Sequence, residues 1–395
     1  MNFILFDDKT RKTLLPLTHT RPVADIRMGI LKISEKWEFL LKSKCSYLTE
    51  SYLQECFPLV QSNDNILING SVLPTPELIE EIKKLAPNTS LLQGELTVAL
   101  RTGALADAHP QISEIEVSNH QELTMKIDQL RYPWDIFSGN EKALASDFEM
   151  LTKGKTSQAI SKSNTVIAPE KVFIEEGAKV ECAILNASTG YIYIGKDAEV
   201  MEGAMIRGPF ALGEHSQVKM GAKIYGATTI GPHCKVAGEV SNSVIFGYSN
   251  KGHEGFLGNS VLGEWCNLGA DTNNSNLKNN YSKVKVWNYA HEDYINTGLQ
   301  FCGLIMGDHS KCSINTMFNT GTVVGVSANI FGNGFPPKFV PSFAWGGSEG
   351  FASYRIEDAI EVATRVYERR SLVFGPKEQK LMRSLFESTT KYRSW

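Results

Sequence analysis

The sequence has no excess of charge of either sign. Lysine and arginine total 40, aspartate and glutamate 43, and the formal net charge is -3. Nucleic-acid binding calls for a basic face, so nucleic acid is not expected as a partner, although a local basic pocket for a small anion stays compatible. No stretch approaches the roughly 18 apolar residues of a membrane span, and no membrane association is expected. The seven cysteines, at 45, 56, 182, 234, 266, 302 and 312, form no C-x-x-C pair. That removes support for zinc and thioredoxin-type chemistry, and no metal ligand set is legible. An odd number of scattered thiols suits a reducing cytoplasm. Met1-Asn2-Phe3-Ile4-Leu5-Phe6 lacks a basic n-region and a long apolar h-region, so it reads as a strand rather than a leader. A cytoplasmic protein is therefore expected.

What is present is a repeat. Ile194, Val200, Ile206, Leu212, Val218, Ile224, Ile230 and Val236 are all aliphatic and all six residues apart. Six is the period of neither an amphipathic helix nor a simple strand. It fits a parallel β-helix in which three short strands and three turns make one coil, with each aliphatic side chain pointing inward. One coil cannot bury its own apolar row, so stacking supplies the stability. Val244, Phe256, Leu262 and Leu268 form a second row two residues out of phase, and Met306, Cys312, Phe318, Val324 and Ile330 a third. The Asn- and Lys-rich stretch 272–300 between them reads as an ejected loop or as degenerate coils. Ile174 and Val180 place the start of the solenoid near residue 164. Ile356, Ile360, Ala363 and Tyr367 have helical spacing, and Gly375-Pro376 opens a second helix. His215, His233 and His309 read as surface turn residues.

The first 150 residues alternate strand and helix signals: strands at Phe3–Phe6 and Asn65–Asn69, a helix opened by Thr75-Pro76, and another through Leu123, Ile127 and Leu130 that ends near Pro133. The expected organisation is an α/β domain over 1–155, a β-helix over 156–349 and a helical tail over 350–395.

Two stretches carry a resemblance. Leu15-Pro16-Leu17-Thr18-His19-Thr20-Arg21-Pro22 resembles the P-L-T-x-x-x-P-K segment of sugar-phosphate nucleotidyltransferases. Lys251-Gly252-His253-Glu254-Gly255-Phe256-Leu257-Gly258-Asn259, continued by Asn267-Leu268-Gly269-Ala270 and Asn276, resembles without a gap the acetyltransferase signature of the GlmU family. That family is bifunctional, joining uridylyl transfer to N-acetylglucosamine 1-phosphate with acetyl transfer to glucosamine 1-phosphate. The resemblance implies an amino-terminal nucleotidyltransferase-like α/β domain, a left-handed β-helix, a homotrimer, a small-molecule sugar substrate and acetyl-CoA as acyl donor. It makes His253 the general base and Asn276 the residue that orients the acetyl group or the amine. Asn267 and Phe256 fall in the sugar pocket. Lys219, Lys223 and Lys251 are candidates for an anion, and Lys283 and Lys285 resemble basic residues of the family's loop.

The sequence also departs from the family. Phe256 stands where a tyrosine is expected, and Ser241 where a basic residue is expected, which weakens the case for a phosphorylated amino sugar. The family's glycine loop after the first strand is replaced by Asp7-Asp8-Lys9-Thr10-Arg11, its catalytic lysine by Val23, and its magnesium-holding aspartate by Asn69-Gly70-Ser71. Phosphoryl transfer is mainly positioning and charge neutralisation, so uridylyl transfer should be weak or absent, and Mg2+ is required only if that activity is retained. Arg11, Arg21, Asp25 and Arg27 could form a substitute nucleotide site, or structural ion pairs. Three readings compete: acetyl transfer to an amino sugar at the β-helix, nucleotidyl transfer with an assembly-only β-helix, and a non-catalytic trimeric scaffold.

Overall fold

The structure, a computed structural model, describes residues 1–105, 110 and 112–395. The fold class is the expected one in its α/β domain, parallel β-solenoid and short helical end. Two compact units divide the chain. The first holds Met1–Ile26 and Leu31–Tyr132, the second Arg27–Ile30 and Pro133–Trp395.

The first unit is built on a six-stranded sheet. β1 (Asn2–Phe6) lies parallel to β2 (Cys45–Leu48) on one side and to β3 (Asn65–Asn69) on the other. β4 (Thr89–Gln93) and β5 (Leu96–Thr102) form an antiparallel hairpin beside β3, and β6 (Asn119–Glu122) closes the edge. Ile4, Phe6, Leu48, Leu67 and Leu100 form one face of its core. After α1 (Thr10–Thr13) and α2 (Ile33–Leu41), the helix opened by Thr75-Pro76 is present as α3 (Pro76–Lys83), with the Thr75 hydroxyl accepting from the Leu78 amide at 3.2 Å.

The helix expected to end near Pro133 instead begins there, as α4 (Pro133–Ser138), followed by α5 (Asn140–Thr152). Proline is well suited to a first helical turn and keeps the residue before it out of helical geometry. Both helices belong to the second compact unit, which takes up again at Pro133. Asn140 fixes the start of α5: its Nδ2 donates to the Ala227 carbonyl at 2.8 Å and its Oδ1 accepts from the Gly29 amide at 2.7 Å.

The solenoid starts with the strand Thr165–Ile167 and has three walls. The first wall runs from that strand to Phe256–Gly258. The second runs from Val172–Ile174 to Phe339–Val340. The third runs from Lys179–Val180 to Ala344–Gly347 and is capped by the antiparallel strand Gly350–Ser353. The six-residue row winds round it as expected. Ile194 stacks on Leu212 and Ile230, Val200 on Val218 and Val236, and Ile206 on Ile224. All eight are buried, each contributing about 1.5–3 kcal/mol. The third row, Met306 to Ile330, lies in the same core.

The second row is corrected. Ile230 pairs with Ile245 and Val236 with Lys251, fifteen residues on where the preceding coils take eighteen. Shortened corners shift the phase, so the inward row here is Val240, Ile245, Lys251, Leu257, Leu262 and Leu268. Phe256 is register partner to Glu239 and only half-buried.

The stretch 272–300 forms one short strand, Asn273–Asn274, paired with Met317–Phe318, and then an antiparallel hairpin, Lys285–Asn288 with Asp293–Asn296. At one corner of each coil a residue sits at positive φ: His215, His233, Tyr248, Trp265 and His309, between 53° and 62°. Their rings stack in a ladder, His215 on His233 at 5.0 Å, His233 on Tyr248 at 4.7 Å and Tyr248 on Trp265 at 4.2 Å. α6 (Ile356–Glu368) joins it, Tyr367 stacking on Trp265 at 4.0 Å, and His309 is buried rather than a surface residue. α7 (Pro376–Ser388) follows.

Candidate functional site

The GlmU-like segment turns a corner of the solenoid. Lys251 occupies an inward position that its counterparts on other coils fill with Val200, Val218 and Val236. A lysine is held there because its ammonium finds two carbonyls at the corner: Nζ donates to the His253 oxygen at 2.7 Å and the Glu254 oxygen at 3.1 Å. Burial, opposed by the carboxylates of Glu254 and Asp271, pushes its pKa down from the usual 10.5 to about 8. Lys251 is therefore a pin for the turn and does not face an anion in solvent, as the sequence had suggested. Gly255 adopts φ +110°, and a Cβ there would lie 2.1 Å from the Thr272 carbonyl oxygen, so this close approach of two coils requires glycine.

The pinned turn leaves the His253 side chain exposed. Beside it begins the strand Phe256–Gly258. The Phe256 amide donates to Asn273 Oδ1 at 2.8 Å and the Gly258 amide to Asn274 Oδ1 at 2.9 Å. Gly258 makes room for two side chains, since a Cβ there would meet the Phe256 ring at 2.5 Å and Asn276 Nδ2 at 2.7 Å. Asn276 Nδ2 also donates to Asn259 Oδ1 at 2.8 Å, which fixes the amide. Phe256, Asn259 and Asn276 are thus gathered over one glycine, on the strand that the His253 turn enters.

The other expected residues are dispersed. Lys219 Nζ is bonded to Gln217 Oε1 at 2.8 Å. Lys223 is exposed on the first wall, in register with Glu239, which is in turn the register partner of Phe256. Glu239 Oε1 accepts from the Tyr225 hydroxyl at 2.5 Å. Lys283 is exposed before the hairpin and Lys285 is exposed on it. Asn267 lies exposed on the third wall, in a cleft with Lys235 and Lys311.

In the first unit the arginines are consumed by structure. Arg11 is buried, donates to the Arg21 carbonyl at 3.1 Å and to the Tyr52 hydroxyl at 2.5 Å, and sits 3.5 Å from Asp7. Arg21 pairs with Asp25 at 3.7 Å, and Lys32 with Asp25 at 2.9 Å. His19 is driven down to about 3 by burial and by Arg11. The carboxyl ends of β1 and β3, where an open α/β sheet offers a ligand crevice, are tied to the chain's own segment. Asp7 Oδ1 accepts from the Val23 amide at 2.8 Å, and Asn69 Nδ2 donates to Asp8 at 2.9 Å. Arg27 belongs to the second unit, where Nε donates to the Phe246 carbonyl at 3.0 Å and a terminal nitrogen to the Ile30 carbonyl. Among the described residues no group of three His, Cys, Asp or Glu side chains is placed to hold a metal.

Comparison with known proteins finds similarity in both parts of the chain. Residues 3–156 match the family model described as sugar nucleotidyl transferase. The bifunctional protein GlmU of Methanocaldococcus jannaschii is 32% identical over 136 residues, covering 34% of this chain and 28% of that protein. The bifunctional sugar-1-phosphate nucleotidylyltransferase/acetyltransferase of Sulfurisphaera tokodaii is 26% identical over 241 residues, 60% of this chain and 51% of that one. The uncharacterized acetyltransferase YaiX of Escherichia coli is 32% identical over 149 residues, 37% of this chain and 64% of it. The chain spans about half the length, or less, of the first two relatives. Its amino-terminal part is similar to sugar nucleotidyl transferases, and the chain is similar to bifunctional proteins of the GlmU type over part of their length.

Proposed function

We propose that the protein transfers an acetyl group from acetyl-CoA to the amine of a sugar at the His253 corner, in amino-sugar or sugar-nucleotide metabolism. The observation that carries this reading is the corner itself: an exposed imidazole on a turn pinned by a buried lysine, next to the Phe256, Asn259 and Asn276 cluster. Acetyl-CoA supplies the thioester. His253 takes the proton that the sugar amine loses as nitrogen bonds to the acyl carbon, and returns it to the departing sulfur. Asn276, with one amide hydrogen spent on Asn259, has a second to orient the acyl oxygen or the acceptor. Assaying CoA release with free, phosphorylated and nucleotide-linked amino sugars tests the reading, and no turnover with any of them would remove it.

Uridylyl transfer is expected to be undetectable. Arg11 and Arg21 are tied up in buried pairs, and the crevice at β1 and β3 is bonded to the segment between Asp8 and Val23. A pyrophosphate-release assay with magnesium, several nucleoside triphosphates and sugar phosphates checks this, and magnesium-dependent turnover would contradict it.

A homotrimer is proposed on the first wall's outer face. Ile184 and Met205 are register partners, each 43% exposed, beside exposed Ile167 and Tyr225. A row of this kind marks a contact surface, and Met205→Glu should shift the mass seen by light scattering from trimer towards monomer. No described helix is long and apolar enough to cross a membrane, and all seven cysteines are free thiols, which supports a cytoplasmic location.

A further inference from the structure

The third wall carries a second polar feature, built from residues that, Asn267 apart, lie outside the GlmU-like signature. Lys235, Asn250, Asn267 and Lys311 are register partners on four successive strands, so their side chains form one outward row. The carboxyl end of α6 closes over this row with Val366, Arg369 and Arg370, and the resulting cleft is about 380 Å³. Four cations thus line one cleft, and no carboxylate lines it with them.

The arrangement is costly without a counter-charge. Lys311 is largely buried, its Nζ bonded to the His309 carbonyl at 2.8 Å, and burial lowers its pKa. Burial lowers that of Lys235 too, helped by the like charges of Arg370, Lys219 and Arg369. Asn250 Oδ1 is buried without a hydrogen-bond partner. Like charges held in one cleft repel, and a buried ammonium with no anion is unfavourable. Trp265 is sandwiched between Tyr248 and Tyr367, which fixes α6 and hence both arginines against the wall.

We propose that this cleft binds the diphosphate of a nucleotide-type ligand, with Lys235 and Lys311 reaching it from the wall and Arg369 and Arg370 from the turn that follows α6. Four cations exceed what a single phosphate needs, and guanidinium forks suit paired phosphoryl oxygens. The shared chemistry is a nucleoside diphosphate, found both in CoA and in a nucleotide-linked sugar. The inference stands on the charge and shape of the cleft, not on acetyl transfer at His253.

Titration calorimetry with inorganic pyrophosphate, on the whole chain and with no acyl donor, is the direct test. Arg370→Glu, a part-exposed change that leaves the core intact, should weaken binding by about 10-fold or more, in line with loss of a charge-assisted contact. Lys311→Met should do the same, while Lys377→Ala, in the first turn of α7, should not. CoA displacing pyrophosphate would make the acyl donor the source, and uridine diphosphate displacing it where CoA does not would make the acceptor the source. No pyrophosphate binding at millimolar concentration, or equal binding by wild type and Arg370→Glu, would overturn the proposal. Either result would leave CoA release at the His253 corner unaffected as a separate question.

Discussion

Replacing His253 by alanine should lower acetyl transfer about 10²–10⁴-fold, the usual contribution of a general base, while the melting temperature stays close to wild type. The side chain is exposed and bears no packing load. What holds the turn is the Lys251 ammonium on the His253 and Glu254 carbonyls, and the alanine variant keeps that backbone. The KM for acetyl-CoA should change little, because the imidazole acts on the amine. Added imidazole should restore part of the rate in His253→Ala. Asn276→Ala should cost less, since it removes an orienting amide and also the bond to Asn259. His233→Ala is the control: its ring stacks between His215 and Tyr248 in the corner ladder, so it should leave turnover unchanged. Near-full activity in His253→Ala on the best acceptor would remove the base assignment while leaving the solenoid as described.

The solenoid was legible because its period is geometric. Eight aliphatic residues at a spacing of six can stack only if the coils have three walls of six residues, and Ile194, Leu212 and Ile230 do so. What failed was phase. A corner shortened by a few residues moves the inward position without altering composition, so Phe256 was placed in a row that belongs to Leu257, and the inward role of Lys251 was hidden because lysine is usually read as solvated. The cleft on the third wall left a trace that went unread. Lys235 precedes Val236 as Lys311 precedes Cys312, the same place in the repeat, hence one outward row of one wall. Arg369 and Arg370 could not be added to it from sequence, because nothing in the period says where a tail helix docks. The passage from one compact unit to the other between Ile26 and Arg27 has no signal in the sequence either, since Arg27 stands only two residues from Asp25.

Lys251→Met separates the pin from the base. Methionine is unbranched and apolar and fits a channel lined by its aliphatic neighbours, so the chain should fold. The His253 and Glu254 carbonyls would then lose their shared donor, and the turn its anchor. A displacement of about 1 Å at a catalytic group can cost 10²-fold, so kcat should fall by that order while the KM for acetyl-CoA holds. Added imidazole should not rescue this variant, because the histidine is present but misplaced. The lysine also leaves a signature in stability against pH. In the folded chain it releases its proton near 8, and in the unfolded chain only near 10.5. Between those values the unfolded chain binds a proton that the folded chain does not, so raising the pH favours the fold. Below about 8 both states hold the proton and the burial penalty is carried in full. Chemical denaturation from pH 7.5 to 10.5 should therefore show wild type gaining stability relative to Lys251→Met, with the difference levelling above 10.5. A pH-independent difference would mean that the ammonium is not confined inside the coil, and with it the account of how the His253 turn is held would fail.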